Sequence, residues 1–337
     1  TAYDLSLGLV GSEMCIRDRS NKMKQIAIAL LITMFLPSTL LMAQKGDEND
    51  KAGVVGFKFL NLSYGARGTA LGGLAAQASG AEAMFWNPAG LTGATGIGFT
   101  AGQTQWLVET TYNNVGVAMP LLGGVMGASM MSVNYGDMMK SGWAGDTEYI
   151  FQANQGTFTA SDMALQLSYG RKLSDKFSIG GTAKSITQDI DGEKMSGMGF
   201  DFGTQFDVGY KNMRVGAVIS NFGADVDPVE TKKETATALP ETFQFGIVGQ
   251  AFGDENMGLM AGMNVTKYSD AAQRYSFNGE FTLMGTAKIR GNYSTGATQQ
   301  RLTLGGGIVI AGFVVDIALA STNDFGTVTQ FSLGYSL

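Results

Sequence analysis

The sequence predicts an all-β fold: a fourteen-stranded antiparallel transmembrane β-barrel with a small N-terminal hatch lying in its lumen. Three observations carry that expectation. From residue 97 onward the chain falls into fourteen segments of period-two alternation, nearly all reaching the roughly nine to eleven residues that a tilted strand needs to cross a bilayer. The connections alternate between short and long, as they do in a barrel with tight turns at one rim and loops at the other. Forty-eight glycines stand against five prolines, and so much glycine in an alternating chain suits a closed barrel, where it serves bends and close packing. A secreted β-sandwich, the rival, would show cysteine pairs and fewer strands.

Residues 1–20 share no periodicity with the rest of the chain, and 6–18 reads like translated sequencing adapter, so this stretch is expected to be a non-native leader. A natural start at Met23 opens a signal peptide over 23–43: Lys24, an apolar run from Ile26 to Leu36, and Ala43 at the cleavage edge. Without residues 1–43 the basic count falls from 23 to 19 and the acidic count from 29 to 26, a net charge of −7. That balance offers no footprint for nucleic acid. Cys15 lies in the suspect leader and the chain has no histidine, so no disulfide, thiolate metal site, histidine base or cofactor is expected, and neither is an enzyme.

Residues 44–96 form the periplasmic lead-in and hatch. The first nine are polar and charged. Gly80 to Trp86 can make about two helical turns, Asn87 can cap or end them, and Pro88 can open a new turn as its first residue. The hatch motif is Asn87, Pro88, Ala89 and Gly90, followed by Leu91. It marks the seam between hatch and barrel.

The barrel spans 97–337. Its predicted strands are 97–105, 111–119, 125–135, 162–170, 177–188, 197–209, 214–222, 242–250, 257–267, 274–283, 287–293, 302–310, 313–320 and 328–337. An even count puts both ends at the short-turn rim, expected to face the periplasm, with the outer membrane around the wall. A turn centred on Gly285 pairs Phe281 with Ile289 on the lipid face and Glu280 with Arg290 as a lumenal ion pair. The Ala311-Gly312 turn pairs Ile310 with Phe313 and sets Asp316 opposite Gly307 inside.

Among the loops, 136–161 carries Trp143, Tyr149, Phe151 and Phe158, too apolar for a merely solvated loop. It is expected to act as a lid or as a partner surface. The loop over 189–196 is acidic but lacks calcium-loop spacing, Asp201 and Asp207 read as lumenal solvation, and Gly305-Gly306-Gly307 has no following helix to bind phosphate.

Gly65-Ala66-Arg67-Gly68, Leu71-Gly72-Gly73 and Asn87-Pro88-Ala89-Gly90-Leu91, ahead of a fourteen-stranded barrel, resemble the FadL-like outer-membrane family. The likeness is strongest to its PorV/PorQ branch, whose pattern Asn221-Phe222-Gly223 with Leu239-Pro240 also matches. The resemblance implies a non-enzymatic role, in the first place as an accessory or shuttle of type IX secretion and alternatively as a passive transporter of hydrophobic small molecules. PorV-like members serve type IX secretion, with the translocon, cargo and attachment proteins as partners. FadL-like members pass hydrophobic small molecules through the hatch and a lateral opening in the wall.

Overall fold

The computed structural model describes residues 53, 55–107, 109–144, 150–152, 156–226, 236–296, 302–322 and 326–336. The leader, the signal peptide, the lead-in to residue 52, Tyr149 and Leu337 lie outside the described residues.

Alternating segments become strands where one face meets lipid and the other meets polar lumen. In chain order these are β1 (Gly98–Gln105), β2 (Thr111–Leu121), β3 (Gly124–Met139), β4 (Gly142–Ala144), β5 (Ile150–Gln152), β6 (Thr157–Lys172), β7 (Phe177–Ile190) and β8 (Glu193–Asp207). They continue as β9 (Arg214–Phe222), β10 (Thr242–Gly253), β11 (Met257–Tyr268), β12 (Arg274–Leu283), β13 (Ala287–Thr295), β14 (Leu302–Ile310), β15 (Phe313–Thr322) and β16 (Gly326–Ser336). The short strands β4 and β5 pair with each other, and the other fourteen form one closed antiparallel barrel. Closure runs from β1 to β16, Gly98 opposite Ser336, so both ends of the barrel sit at one rim.

The polarity of the wall is inverted relative to a soluble protein. On β15, Phe313, Val315, Ile317 and Leu319 are exposed while Asp316, Ala318 and Ala320 are buried; on β6, Met163, Leu165 and Leu167 are exposed while Asp162, Gln166 and Ser168 are buried. An apolar exterior over a polar interior is the arrangement a bilayer demands. The registers agree with the turns: Phe281 is opposite Ile289 and Glu280 opposite Arg290, and Ile310 is opposite Phe313 and Gly307 opposite Asp316.

Two segments expected as loops are partly strand. The 189–196 connection is a turn at Asp191-Gly192, because β7 runs to Ile190 and β8 starts at Glu193. The 136–161 loop is shortened by a hairpin that continues past a bulge after Asn134, pairing Met138 with Phe158. In the longer extension the pattern inverts relative to the membrane wall: Thr157, Thr159 and Ser161 are exposed on the outer face, and Phe158 and Ala160 turn inward.

Residues 55–94 lie inside the barrel. Short helical turns carry this segment: Lys58–Asn61, Ala66–Ala70, Gly80–Phe85 and Pro88–Gly93. One apolar cluster, built on Phe57, Phe59, Tyr64, Val133 and Ile186, fills the long-loop half. A second, built on Leu71, Leu74, Met84, Leu91 and Val125, fills the half near the short turns.

Candidate functional site: the hatch and the wall it meets

The hatch is fixed to many sides of the barrel by polar contacts. The amide of Ala66 donates to Ser332 Oγ at 3.2 Å, and Asn264 Nδ2 donates to the Gly73 carbonyl at 3.0 Å. Gln77 Nε2 donates to Asn278 Oδ1 at 3.1 Å, and Thr92 Oγ1 donates to Ser178 Oγ at 3.0 Å. The Asn264–Gly73 bond is buried and the other three are part-buried, and each pairs polar groups where the hatch meets the wall.

The hatch motif makes the densest of these contacts. Asn87 caps the Pro88–Gly93 turn: its Oδ1 accepts from the Ala89 amide at 3.1 Å, and Pro88 occupies the first helical position, where no N–H is needed. Its Nδ2 donates to three carbonyls: Ala75 of the hatch at 2.6 Å, Thr204 of β8 at 3.1 Å and Ala217 of β9 at 3.5 Å. One fully buried side chain therefore ends a turn, ties the hatch to itself and ties it to the wall.

The wall makes room for it with glycine. Gly170 of β6 is opposite Gly180 of β7, which is opposite Gly203 of β8, giving a cross-strand row. All three face inward. A Cβ added at Gly170 would lie 2.8 Å from the Pro88 carbonyl oxygen; at Gly180 it would overlap the Pro88 and Ala89 backbone; at Gly203 it would overlap Asn87 Oδ1. The row is a slot in which Asn87-Pro88-Ala89 is seated, the close backbone approach that in-strand glycine commonly marks.

A second anchor is electrostatic. Glu280 and Arg290 face the lumen and meet, Arg290 Nε donating to Glu280 Oε2 at 2.7 Å, while Arg290 Nη1 donates to Asp316 Oδ1 at 2.6 Å. Lys288 lies 3.5 Å from Glu280. From the hatch, Arg67 pairs with Glu82 and comes within 3.5 Å of Glu280. Burial works against the charge on Arg67, yet Glu82 and Glu280 hold its guanidinium protonated above the ordinary value. Three cations and three carboxylates thus cancel within one buried network.

Of the remaining sequence candidates, Trp143 is opposite Phe151 in the β4–β5 hairpin, within the connection between β3 and β6, whereas Phe158 is on β6 itself, opposite Met138. Asp201 is part of the wall's internal support, 2.8 Å from Lys184 and accepting the Asn221 amide at 2.8 Å. Among the described residues no cluster of acidic side chains could hold a metal ion. Reading the sequence alone missed Arg67, Glu82, Lys288 and Asp316 as network members, and it missed the glycine row, although glycines interrupting three successive strands were its visible signal.

Two polar crevices of about 60 Å³ and about 130 Å³ remain inside the barrel. A larger apolar groove of about 630 Å³ lies on the outer face over β6 to β10. At its floor the glycine row and the outward-facing Gly181 leave only backbone between the groove and the hatch.

No protein-family model matches the chain, and no curated protein matches it. Solved structures do. The toluene transporter TodX of Pseudomonas putida superposes with a TM-score of 0.58 at 13% identity, over 82% of this chain and 99% of that one. The toluene transporter TbuX of Ralstonia pickettii superposes with a TM-score of 0.51 at 13% identity, over 78% of this chain and 97% of that one. The fold is the barrel architecture that TodX and TbuX share. At this identity the likeness speaks for the architecture, and the site must be argued from its own residues.

Proposed function

We propose that the chain is a non-enzymatic outer-membrane channel that passes hydrophobic small molecules past a movable hatch, with both barrel ends and the short turns facing the periplasm. The observation that supports this most is the seating of Asn87-Pro88-Ala89 in the glycine row, directly behind an apolar groove open to the membrane. A hatch held by two separate apolar clusters, hydrogen bonds and a neutral charge network, rather than by one continuous core, is one that can leave its seat and return. TodX and TbuX, which share the architecture, are toluene transporters.

A disulfide between hatch and wall tests it. An ideal Cβ at Gly98 of β1 lies 3.9 Å from Ala81 Cβ in the hatch, within the range of about 3.5–4.5 Å that a disulfide requires. In a background lacking Cys15, the Gly98→Cys/Ala81→Cys protein in proteoliposomes should admit toluene only after reduction. Equal uptake in oxidised and reduced protein would refute a moving hatch.

The role of accessory in type IX secretion, with translocon, cargo or attachment proteins as partners, rests on the PorV/PorQ resemblance of the hatch and of Asn221-Phe222-Gly223. It predicts that secretion components co-purify from native membranes and that the oxidised cross-linked protein still supports secretion.

A further inference from the structure

The inward rows of the wall that form the glycine slot continue past it toward the short-turn rim. There Lys172 of β6 is opposite Ser178 of β7, Ser178 is opposite Gln205 of β8, and Asp207 of β8 is opposite Arg214 of β9. Together with Lys176 and with Ser79 and Thr92 of the hatch, they line the polar crevice of about 130 Å³. We propose that this crevice binds one small, doubly charged oxyanion of the size of phosphate or sulfate. Lys172, Lys176 and Arg214 hold it from the wall, and Ser79 meets it from the hatch.

Charge and size identify the ligand. Elsewhere inside the barrel, cations come with their acids: Lys184 lies 2.8 Å from Asp201, and Arg67, Lys288 and Arg290 share Glu82, Glu280 and Asp316. Lys172, Lys176 and Arg214 have no ion pair among the described residues, although Asp175 and Asp207 line the same crevice. Asp207 is engaged in its own turn, where its Oδ1 accepts from the Gly209 amide at 2.8 Å. Three unpaired cations against two carboxylates leave the recess positive in a chain whose net charge is −6, and a recess with an excess of one sign gathers the opposite ion. The Arg214 fork and the two ammonium groups can each donate charge-assisted hydrogen bonds to an oxyanion. The Ser79 hydroxyl, which has no hydrogen bond to a described residue, adds a neutral donor. The volume is well above the roughly 10–15 Å³ that one water needs and below the roughly 300–1,000 Å³ of sites for larger organic ligands. The strand residues of the site face the lumen, so the anion arrives from water rather than on a lipid headgroup. An ion that touches both wall and hatch also holds the hatch in its seat; this consequence rests on the movable hatch proposed above, whereas the binding does not.

Phosphorus NMR titration of the full chain in detergent, with inorganic phosphate at constant ionic strength, reads the binding. Hydrogen exchange at Ala89, Gly90 and Leu91 reads the hold on the hatch. Phosphate at about ten times its Kd should slow that exchange about tenfold; sulfate should compete for the site and chloride should not. Lys172→Gln/Lys176→Gln should weaken binding about tenfold. Lys211→Gln removes a charge from the same rim outside the crevice and should leave binding unchanged. No saturable phosphate signal, equal competition by chloride, or equal weakening in Lys211→Gln would overturn the site. Saturable binding with unchanged exchange would overturn the bridge between wall and hatch, and the Gly98→Cys/Ala81→Cys disulfide decides the transport reading separately.

Discussion

Replacing Asn87 separates a seated hatch from a merely packed one. The side-chain amide has two N–H groups spread over three carbonyls and one oxygen accepting from Ala89, so its removal forfeits about three hydrogen bonds. At a net value of roughly 1 kcal/mol each, Asn87→Ala should weaken seating by about 3 kcal/mol. With a factor of ten for every 1.4 kcal/mol, the unseated population then rises by roughly a hundredfold. Asn87→Asp keeps the shape and the bond from Ala89 but turns an anionic oxygen toward the Ala75, Thr204 and Ala217 carbonyls. At neutral pH it should be worse than alanine, and in acid, where the carboxyl regains a donor, it should recover. Seating makes the protonated form the favoured one, so this stability is present at low pH and lost as pH rises. Hydrogen exchange at the amides of Ala89, Gly90 and Leu91 reads the seated fraction, and bilayer conductance reads its consequence. Exchange in Asn87→Ala within threefold of the parent, or Asn87→Asp outperforming Asn87→Ala at neutral pH, would refute the seat.

Other substitutions test the slot, the network and the wall. Gly180→Ala should cost about 1–3 kcal/mol of seating, because the new methyl meets Pro88 backbone rather than a flexible side-chain end; faster exchange in the hatch with an unchanged barrel is the expected signature. Arg290→Met leaves the buried Asp316 carboxylate without its hydrogen-bonded cation, while Glu280 keeps Arg67 and Lys288, and should cost about 3–5 kcal/mol. Adding Asp316→Asn should return most of that loss, as urea titration would show. Leu165→Arg puts a cation mid-strand on the lipid face and should cost about 2–4 kcal/mol, checked by the folded fraction on an unheated gel.

How much was legible depends on where each contact lies along the chain. A strand between lipid and lumen writes both faces into alternate residues, and a tight turn such as Ala311-Gly312 fixes register from a few neighbours. The wall could therefore be read to within a few residues. The reading failed where the outer face turns polar: at Glu193–Ser196 and Thr157–Ser161 exposed polar residues replace the apolar outer row of the wall, and such segments look like loop. The hatch was legible only as far as its own turns. Asn87 capping Pro88–Gly93 is a local matter, whereas its wall partners Thr204 and Ala217 are 117 and 130 residues away. Arg67, Glu82 and Asp316 each read as an ordinary solvated charge until the fold brings them to Glu280 and Arg290.

Glycine is where the two levels meet. The composition pointed to a barrel because so many glycines needed a closed wall, but it did not say which ones the hatch required. In the structure, Gly170, Gly180 and Gly203 are inward and in register, while Gly181, next in the chain, is outward. At Gly180-Gly181 the wall therefore has no side chain on either face, and glycine is costly in a strand for want of packing. Two surfaces make use of that cost: the Pro88 backbone fits against the inner side, and the apolar groove is hollowed into the outer side. A methyl at Gly180 should disturb the hatch and leave the groove intact, whereas a leucine at Gly181 should fill the groove and leave the hatch seated. If either substitution altered both surfaces equally, the wall at this point would be one coupled element rather than a thin partition between two sites.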